Sequence, residues 1–343
     1  MSGPVEELVT LLRYPDAAAN IAVDGWTDIL CVARAEMLLA TLGARLQDQP
    51  LPDAVTRIFT DVRRDCTGNQ QRARWEANRA ASLLAPLGIT PILLKGTAYL
   101  ASDHTAAQGR HIGDLDIMVP RAALETVEAA LLGTGWEWVK DDPYDQAYYR
   151  QWMHELPPLI HQDRDAMIDV HHTILPLTAR PMPDAGAMIA RARSVGDGLA
   201  ILDPCDMICH CAAHFHADGD MAGGLRNLWD FHLLISDFCR SSEQWSELRQ
   251  RSGEHQLWPT LQGTLRLAHA LYGTIWPPEW GAKWGLREAF FQRRLLARNG
   301  WGQETRPVTR LAIYIRSHWL RMPPLMLARH LWIKWRKGSG ASA

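Results

Sequence analysis

The sequence predicts an α/β (α+β) protein, a small mixed-sheet core flanked by N- and C-terminal helical regions, and three observations carry that expectation. Before about residue 88, apolar residues recur at three- and four-residue spacing, as in Leu30, Ala33, Met37 and Ala40, the period of a helix buried along one face. Between 89 and 203 the apolar runs shorten to strand length and end on glycine or proline. From Asp203-Pro204 onward the helical spacing returns. The expected organisation is a helical region over 1–88, an α/β core over 89–203, and a helical region over 204–343 that ends in a basic tail.

Composition sets the outer bounds. The chain has 343 residues, 47% of them hydrophobic, enough for a packed core and too many for a disordered or collagen-like chain. With 36 Lys+Arg against 38 Asp+Glu, no overall charge draws it to nucleic acid or an anionic membrane. The cysteines at 31, 66, 205, 209, 211 and 239 are too sparse for a disulfide framework, so reduced thiols and a cytoplasmic location are expected. The opening Met-Ser-Gly-Pro-Val-Glu-Glu has no basic segment leading into an apolar one, and no run of 18 apolar residues occurs. Neither a secretory signal nor a membrane span is expected.

Taken in order, a helix runs from Trp26 to about Gly43. A second opens at Pro52-Asp53, is expected to loosen at Cys66-Thr67-Gly68-Asn69, and resumes to Leu84 before Pro86 and Gly88. Pro91-Ile92-Leu93-Leu94 is an apolar strand ending in Lys95-Gly96-Thr97, with a helix starting by Ala98. Asp114-Leu115-Asp116-Ile117-Met118-Val119 alternates acidic and apolar residues until Pro120 stops it, as in a half-buried strand with both acids on one face. Ala122 to Leu132 reads as a helix and Trp136 to Val139 as a strand; two further strands, Leu156 to His161 and Ala166 to Val170, flank a turn at Gln162–Asp165. Helices are then expected near 205–217, 225–239, 242–252, 258–272, 286–299 and 307–335.

The chemistry-bearing residues lie in the middle segment. Asp114 and Asp116 would project from one strand face about 7 Å apart along the backbone, twice the strand rise. Two carboxylates so placed suit shared ligation of divalent cations. Asp169, alone among apolar neighbours in Met167-Ile168-Asp169-Val170, would be a costly isolated charge without a partner and is the natural third ligand. Gly96 would let the backbone approach a phosphate, and the Thr97 hydroxyl and the N–H groups at the helix start would bind its oxygens. Lys95 adds a cation beside that turn. An Asp-x-Asp pair on a strand is also common with no metal at all.

These residues resemble the uncharacterised nucleotidyltransferase family of the DNA polymerase beta-like superfamily. The resemblance rests on Leu93-Leu94-Lys95-Gly96, Tyr99, Arg110, Gly113 to Val119, Gly135-Trp136 and Ile168-Asp169-Val170-His171. It runs on through His214 and Leu225 to Leu234, covering about 30–240. It implies that Asp114, Asp116 and Asp169 are the catalytic and metal-holding triad for Mg²⁺ or Mn²⁺, and that Gly96-Thr97 takes the superfamily's Gly-Ser phosphate position. Thr97 replaces the usual Ser, and 17 residues separate Gly96 from Asp114, more than the family's usual dozen or so. The implied activity transfers a nucleoside monophosphate from an NTP to a hydroxyl acceptor (small molecule, peptide, protein or RNA) with release of pyrophosphate. Lys95 and Arg110 are the candidate triphosphate contacts, or ordinary surface cations. The alternative is a catalytically silent member serving as a binding or assembly protein.

Two other clusters invite a function. Cys205, Cys209, His210, Cys211, His214 and His216 crowd one helix, where metal binding competes with a buried cysteine-rich face that turns His214 toward the cleft. His171 shares a strand face with Asp169 and is a candidate substrate contact or a structural histidine. From Arg306 to Lys337 there are eight cations and no acid, interleaved with Trp319, Trp332 and Trp335. Such a stretch suits an acidic partner, a membrane surface or an RNA strand, or simply packs on the acidic remainder of the chain.

Overall fold

The computed structural model describes residues 3–217, 219–280 and 283–321. Four helices lead: α1 Pro4–Arg13, α2 Gly25–Ala35, α3 Leu39–Arg45 and α4 Asp53–Leu84. The middle of the chain supplies β1 Ile92–Leu93, α5 Lys95–Ala101, β2 Leu115–Met118, α6 Leu124–Leu132, β3 Trp136–Trp138, α7 Pro143–Trp152, β4 Leu159–His161, β5 Met167–His171, α8 Ala185–Ala190, β6 Arg193–Gly196 and β7 Leu199–Ile201. Helices follow again: α9 Pro204–Ala217, α10 Gly224–Phe238, α11 Ser242–Glu254, α12 Trp258–Tyr272, α13 Leu286–Leu295 and α14 Pro307–Arg321. The predicted α+β class, a mixed sheet between helical regions, is what is found.

The seven strands form one sheet in the order β3-β4-β5-β2-β1-β7-β6. At its centre β2 runs parallel to β5 and antiparallel to β1, while β7 lies parallel to β1 on the far side. All four residues of β2 are buried, whereas the alternation in the sequence suggested one solvated face. Helices cover both faces, and the acid that alternation assigned to solvent, Asp116, is inside. One apolar core, from Leu8 and Leu12 through Ile117 and Val170 to Leu228 and Leu265, runs through sheet and helices alike.

Several expectations shift in detail. α4 is continuous across Gly68, where a break was expected. An isolated glycine costs a helix about 1 kcal/mol relative to alanine, and the next turns of α4 gain more than that from tertiary contacts. Asn69 bonds both the carbonyl and the N–H of Ile112 (2.8 and 2.7 Å), Gln70 donates to the carbonyls of Ala107 and Arg110, and Arg74 donates to that of Leu100. These bonds moor the long loop between α5 and β2 to α4, fixing where β2 begins. The elements α7, α8, β6 and β7 carry no apolar period in the sequence strong enough to reveal them, and the helix expected over 286–299 ends at Leu295. α14 is described to Arg321, so the rest of the helix expected to 335 lies outside the described residues.

Glycine is required at two places beside the core. Gly109 has φ +65°, and a Cβ there would fall 2.4 Å from the Thr41 amide nitrogen. At Gly96 a Cβ would fall 2.5 Å from Arg110 Nε and 2.7 Å from Ile112 Cδ1. The bare Cα of Gly96 therefore admits the loop that precedes β2.

Candidate active site

The turn from β1 into α5 and the paired strands β2 and β5 bring Lys95, Asp116 and Asp169 together, while Asp114 stands outside the closest group of potential ligands. Leu94 N–H bonds the Asp116 carbonyl at 3.0 Å, which sets the end of β1 beside the start of β2. Lys95, the first residue of α5, has φ +49°, a left-handed conformation uncommon for a lysine. The Lys95 ammonium donates to Asp116 Oδ1 at 2.5 Å. The sequence signal for this turn was Lys-Gly-Thr after an apolar run, and the helix starts at Lys95 itself, three residues sooner than expected.

Parallel pairing of β2 with β5 sets Asp116 opposite Asp169 and Met118 opposite His171. Because side chains alternate, Asp116, Asp169 and His171 share one face. One potential ligand atom from each lies within 4.8 Å of the others. His171 Nε2 is 3.0 Å from Asp116 Oδ1, and its Nδ1 is 3.5 Å from Glu155 Oε2. His154, Glu155 and His171 form a second close group that shares this imidazole. Neither His154 nor Glu155 had a sequence signal, since the bridge that places Glu155 beside His171 lies outside any apolar run.

The two central carboxylates are in opposite electrostatic states. Burial alone would raise the pKa of Asp116, but Lys95 and His171 outweigh it and hold the group well below the usual carboxylate range. For Asp169, burial comes first, and repulsion from Asp116 and Glu155 adds to it; His171 and Lys95 only partly compensate, so its pKa is pushed up to about 7. Asp169 Oδ1 is buried and has no hydrogen-bond partner among the described residues. Asp114 stands one residue before β2 with its outer side exposed. Partial loss of hydration and then Asp116 raise its pKa, against Lys95 and His171. The electrostatic reach of Asp116 thus takes in both other aspartates.

Thr97 is buried, and it lines a small cavity of about 70 Å³ together with Asp114 and Arg72. Gly96 turns its Cα toward Arg110 and Ile112. The structure puts Arg110 to a different use from the triphosphate contact expected of it. Its guanidinium pairs with Asp230 on α10, in contact through Nη1 and Oδ2, and stacks 5.6 Å from the Tyr99 ring centre. Arg226 grips the other oxygen of Asp230 at 3.0 Å. Arg110 therefore locks α10 onto the loop before β2, and the cation that reaches the aspartates is Lys95.

α9 closes the site from the helical side. Pro204 begins it, a residue suited to the first turn, and Asp203 accepts from the Cys205 N–H at 3.0 Å. His210 and His214, four residues apart on one face, both feel Lys95, His171 and Asp116. Burial, and then Lys95, lowers His210 to about 3 and His214 well below its ordinary value. Both are neutral imidazoles. Cys205, Cys209 and Cys211 are buried, and loss of hydration pushes the Cys205 and Cys211 thiols up to about 12. Among the described residues no metal-suited group is built from this helix alone, though Cys205 groups with Asp203 and Glu247, one potential ligand atom from each within 4.8 Å of the others. The three cysteines form a buried face, and His214 turns toward the cleft.

A mixed sheet whose central strands set two aspartates side by side, next to a strand-turn-helix bearing a lysine and a threonine, has the form of a nucleotidyltransferase core. The sequence model of the family described as uncharacterised nucleotidyltransferase matches residues 23–273. The chain belongs to that family. No curated protein and no solved structure matches it. The match begins just before α2 and ends past α12, so helices on both sides of the sheet belong to the shared unit. Among the described residues no helix is long and apolar enough to cross a membrane.

Proposed function

We propose that the chain transfers a nucleoside monophosphate from an NTP to a hydroxyl acceptor, with Asp114, Asp116 and Asp169 as the catalytic triad. The observation that carries this is the in-register pair Asp116 and Asp169, one carboxylate already balanced by Lys95 and the other buried with an unpartnered oxygen. A buried lone carboxylate oxygen costs stability unless a cation or proton meets it. An all-oxygen set of three carboxylates suits Mg²⁺ or Mn²⁺, with His171 tilting the choice toward Mn²⁺. When bound, such an ion withdraws charge from the phosphate oxygens and acidifies a nearby hydroxyl.

The chain's own groups divide the remaining work. The N–H groups of the Gly96-Thr97 turn and the Thr97 hydroxyl hold phosphate oxygens in this reading. Lys95 neutralises charge on the triphosphate by exchanging its hold on Asp116 for the substrate. The acceptor oxygen forms its bond to the α-phosphorus as the bond to the bridging oxygen breaks, and pyrophosphate leaves in line. Asp169, nearest the attacking oxygen, accepts the proton of the acceptor hydroxyl or holds the cation that acidifies it. The neutral His210 and His214 add no positive charge to compete with Lys95.

One observation favours the silent alternative. Lys95 and His171 already satisfy Asp116, as in a fold that has exchanged its cation for a lysine. Incubation with α-labelled or γ-labelled ATP, Mg²⁺ and a cell extract as acceptor source separates the two. Transfer of the α label alone, lost in Asp116→Ala and in Asp169→Ala, is the expected result. Transfer of the γ label, or none beyond that of the variants, would exclude nucleotidyl transfer. Half of the basic tail, a candidate contact for an acidic partner or membrane surface, lies outside the described residues. In its described half the exposed Arg310 pairs with Asp220 and Glu304, and Arg316 lies over Phe291.

A further inference from the structure

Beyond the aspartate cluster lies a cavity of about 420 Å³ between the segment after β5, the end of α9 and helices α12 to α14. Its size is that of a site for a small organic molecule. Leu175 and Leu257 contribute apolar wall; Arg180, Arg287, Arg316 and His216 contribute everything charged or titratable. No carboxylate lines the cavity; Glu288 acts on Arg287 only at a distance, and Arg316 donates to the His216 carbonyl at 3.4 Å. Glu288 is gripped by Arg266 at 2.6 Å, and Asp220 and Glu304 by Arg310. Among the described residues, none of the three arginines of the cavity carries an ion pair with a carboxylate.

His216 supplies an independent sign of a missing ligand. It is 5% exposed, and neither ring nitrogen has a hydrogen-bond partner among the described residues. Buried imidazoles are ordinarily bonded. Burial, with Arg287, Arg316 and Arg266 adding to it, holds this one neutral, so it can offer one N–H. Arg316 is itself lowered to about 10, by burial and then by Arg287. Two guanidiniums that repel each other beside an unsatisfied N–H form a receptor for an anion.

The cavity's place relative to the aspartates indicates which substrate it serves. The phosphate turn Lys95-Gly96-Thr97 follows β1 and meets β2 near Asp116. The cavity is reached past the other end, because Leu175 and Ala179 continue the chain from His171, which pairs with Met118 at the close of β2. On α9, Ala213 and Ala217 line the cavity and share a helical stripe with His210 and His214, which face Lys95 and Asp116. α9 thus runs from the aspartate cluster to the cavity, which lies past the His171 end of β2 and β5 rather than at the Lys95-Gly96-Thr97 turn.

We propose that this cavity is the acceptor subsite, and that it holds the anionic end, a carboxylate or a phosphate, of an acceptor whose adjoining body is apolar. Arg287 and Arg316 bind the anion, His216 donates to it, and Leu175 and Leu257 pack on the body. The assignment rests on the nucleotidyl-transfer reading for the word acceptor; the binding chemistry stands by itself.

The test titrates the full chain with octanoate, octyl phosphate, octan-1-ol and octylammonium, read by calorimetry and thermal shift. Saturable binding of one or both anions, at least tenfold tighter than the alcohol and the cation, is expected, and the tighter anion names the headgroup. Arg287→Gln with Arg316→Gln should weaken that anion at least tenfold. Saturating MgATP should leave it bound to the wild-type chain. Equal binding of octan-1-ol, an undiminished double variant, or competitive displacement by MgATP would each overturn the proposal, the last by making the cavity the nucleotide's own. The wild-type series needs no variant to fold. Asp169→Asn should still bind the anion, so failed nucleotidyl transfer with intact anion binding refutes only the catalytic reading.

Discussion

Two buried aspartates, Asp169 and Asp206, sit in the same fold with opposite fates. Asp206 on α9 is 0% exposed, deeper than Asp169, yet its pKa is lowered. Burial alone would raise it, but His255 at 2.9 Å, Arg191 at 3.2 Å and Arg251 at 3.0 Å outweigh that. Asp169 is less deeply buried, keeps an unpartnered oxygen, and is raised to about 7. Depth therefore does not decide the state of a carboxylate here; partners do. Asp230, like Asp206, is clamped by two arginines, Arg110 and Arg226. Carboxylates whose every lone pair is answered hold helices together, and the one left unanswered is available for chemistry.

The largest effect should separate those classes by activity. Asp169→Asn is expected to lower nucleotidyl transfer on the order of 10³-fold with the fold intact by circular dichroism; retention of a tenth of the activity would move Asp169 out of the catalytic set. Asp206→Asn should do the reverse. Leaving Arg191, Arg251 and His255 around a neutral side chain should cost about 3 kcal/mol in urea denaturation, while the molecules still folded transfer label at the wild-type rate. A loss below about 1 kcal/mol would show that Asp206 is not the clamp described.

The pH dependence should differ in sign. The folded state holds the Asp169 proton more tightly than the unfolded chain does, so this group's cost to stability grows as pH rises from about 4 to about 7 and then levels. For Asp206 the folded pKa is depressed, so its stabilisation is present above the unfolded value and is lost as pH falls through the folded one. Without divalent cation, Asp169→Asn should therefore match the wild type below pH 4 and exceed it at pH 8 by about 4 kcal/mol. Equal melting temperatures at pH 8 would mean that Asp169 is not strained when ionised. The smallest effect concerns the mooring of the loop before β2. Asn69→Ala removes two hydrogen bonds to Ile112 and should cost about 1–2 kcal/mol; no change in the denaturation midpoint would leave that loop held by Gln70 and Arg74.

The contrast also explains what could be seen in the chain beforehand. Asp114, Asp116 and Asp169 were legible because strand alternation fixes which face a side chain takes, and isolated acids in short apolar runs stand out. The helices α9 to α12 were legible to within two residues at each end because their apolar stripes are long. The pairing of Arg110 with Asp230 was not legible because the two are 120 residues apart, and no local pattern encodes that distance. Glu155 and His154 entered the site through a single isolated bridge, and α7, α8, β6 and β7 are too short or too polar to generate a period. Gly68 suggested a break in α4 that Asn69, Gln70 and Arg74 overrule from across the core.

Cation binding tests the central claim most directly. Calorimetric titration of the full chain with Mn²⁺ at pH 8 should show binding that weakens at least tenfold in Asp116→Asn and in Asp169→Asn, weakens again at pH 5.5 in the wild type, and is unaltered in Asp206→Asn. Mn²⁺ affinity identical in the wild type and both cluster variants would contradict it.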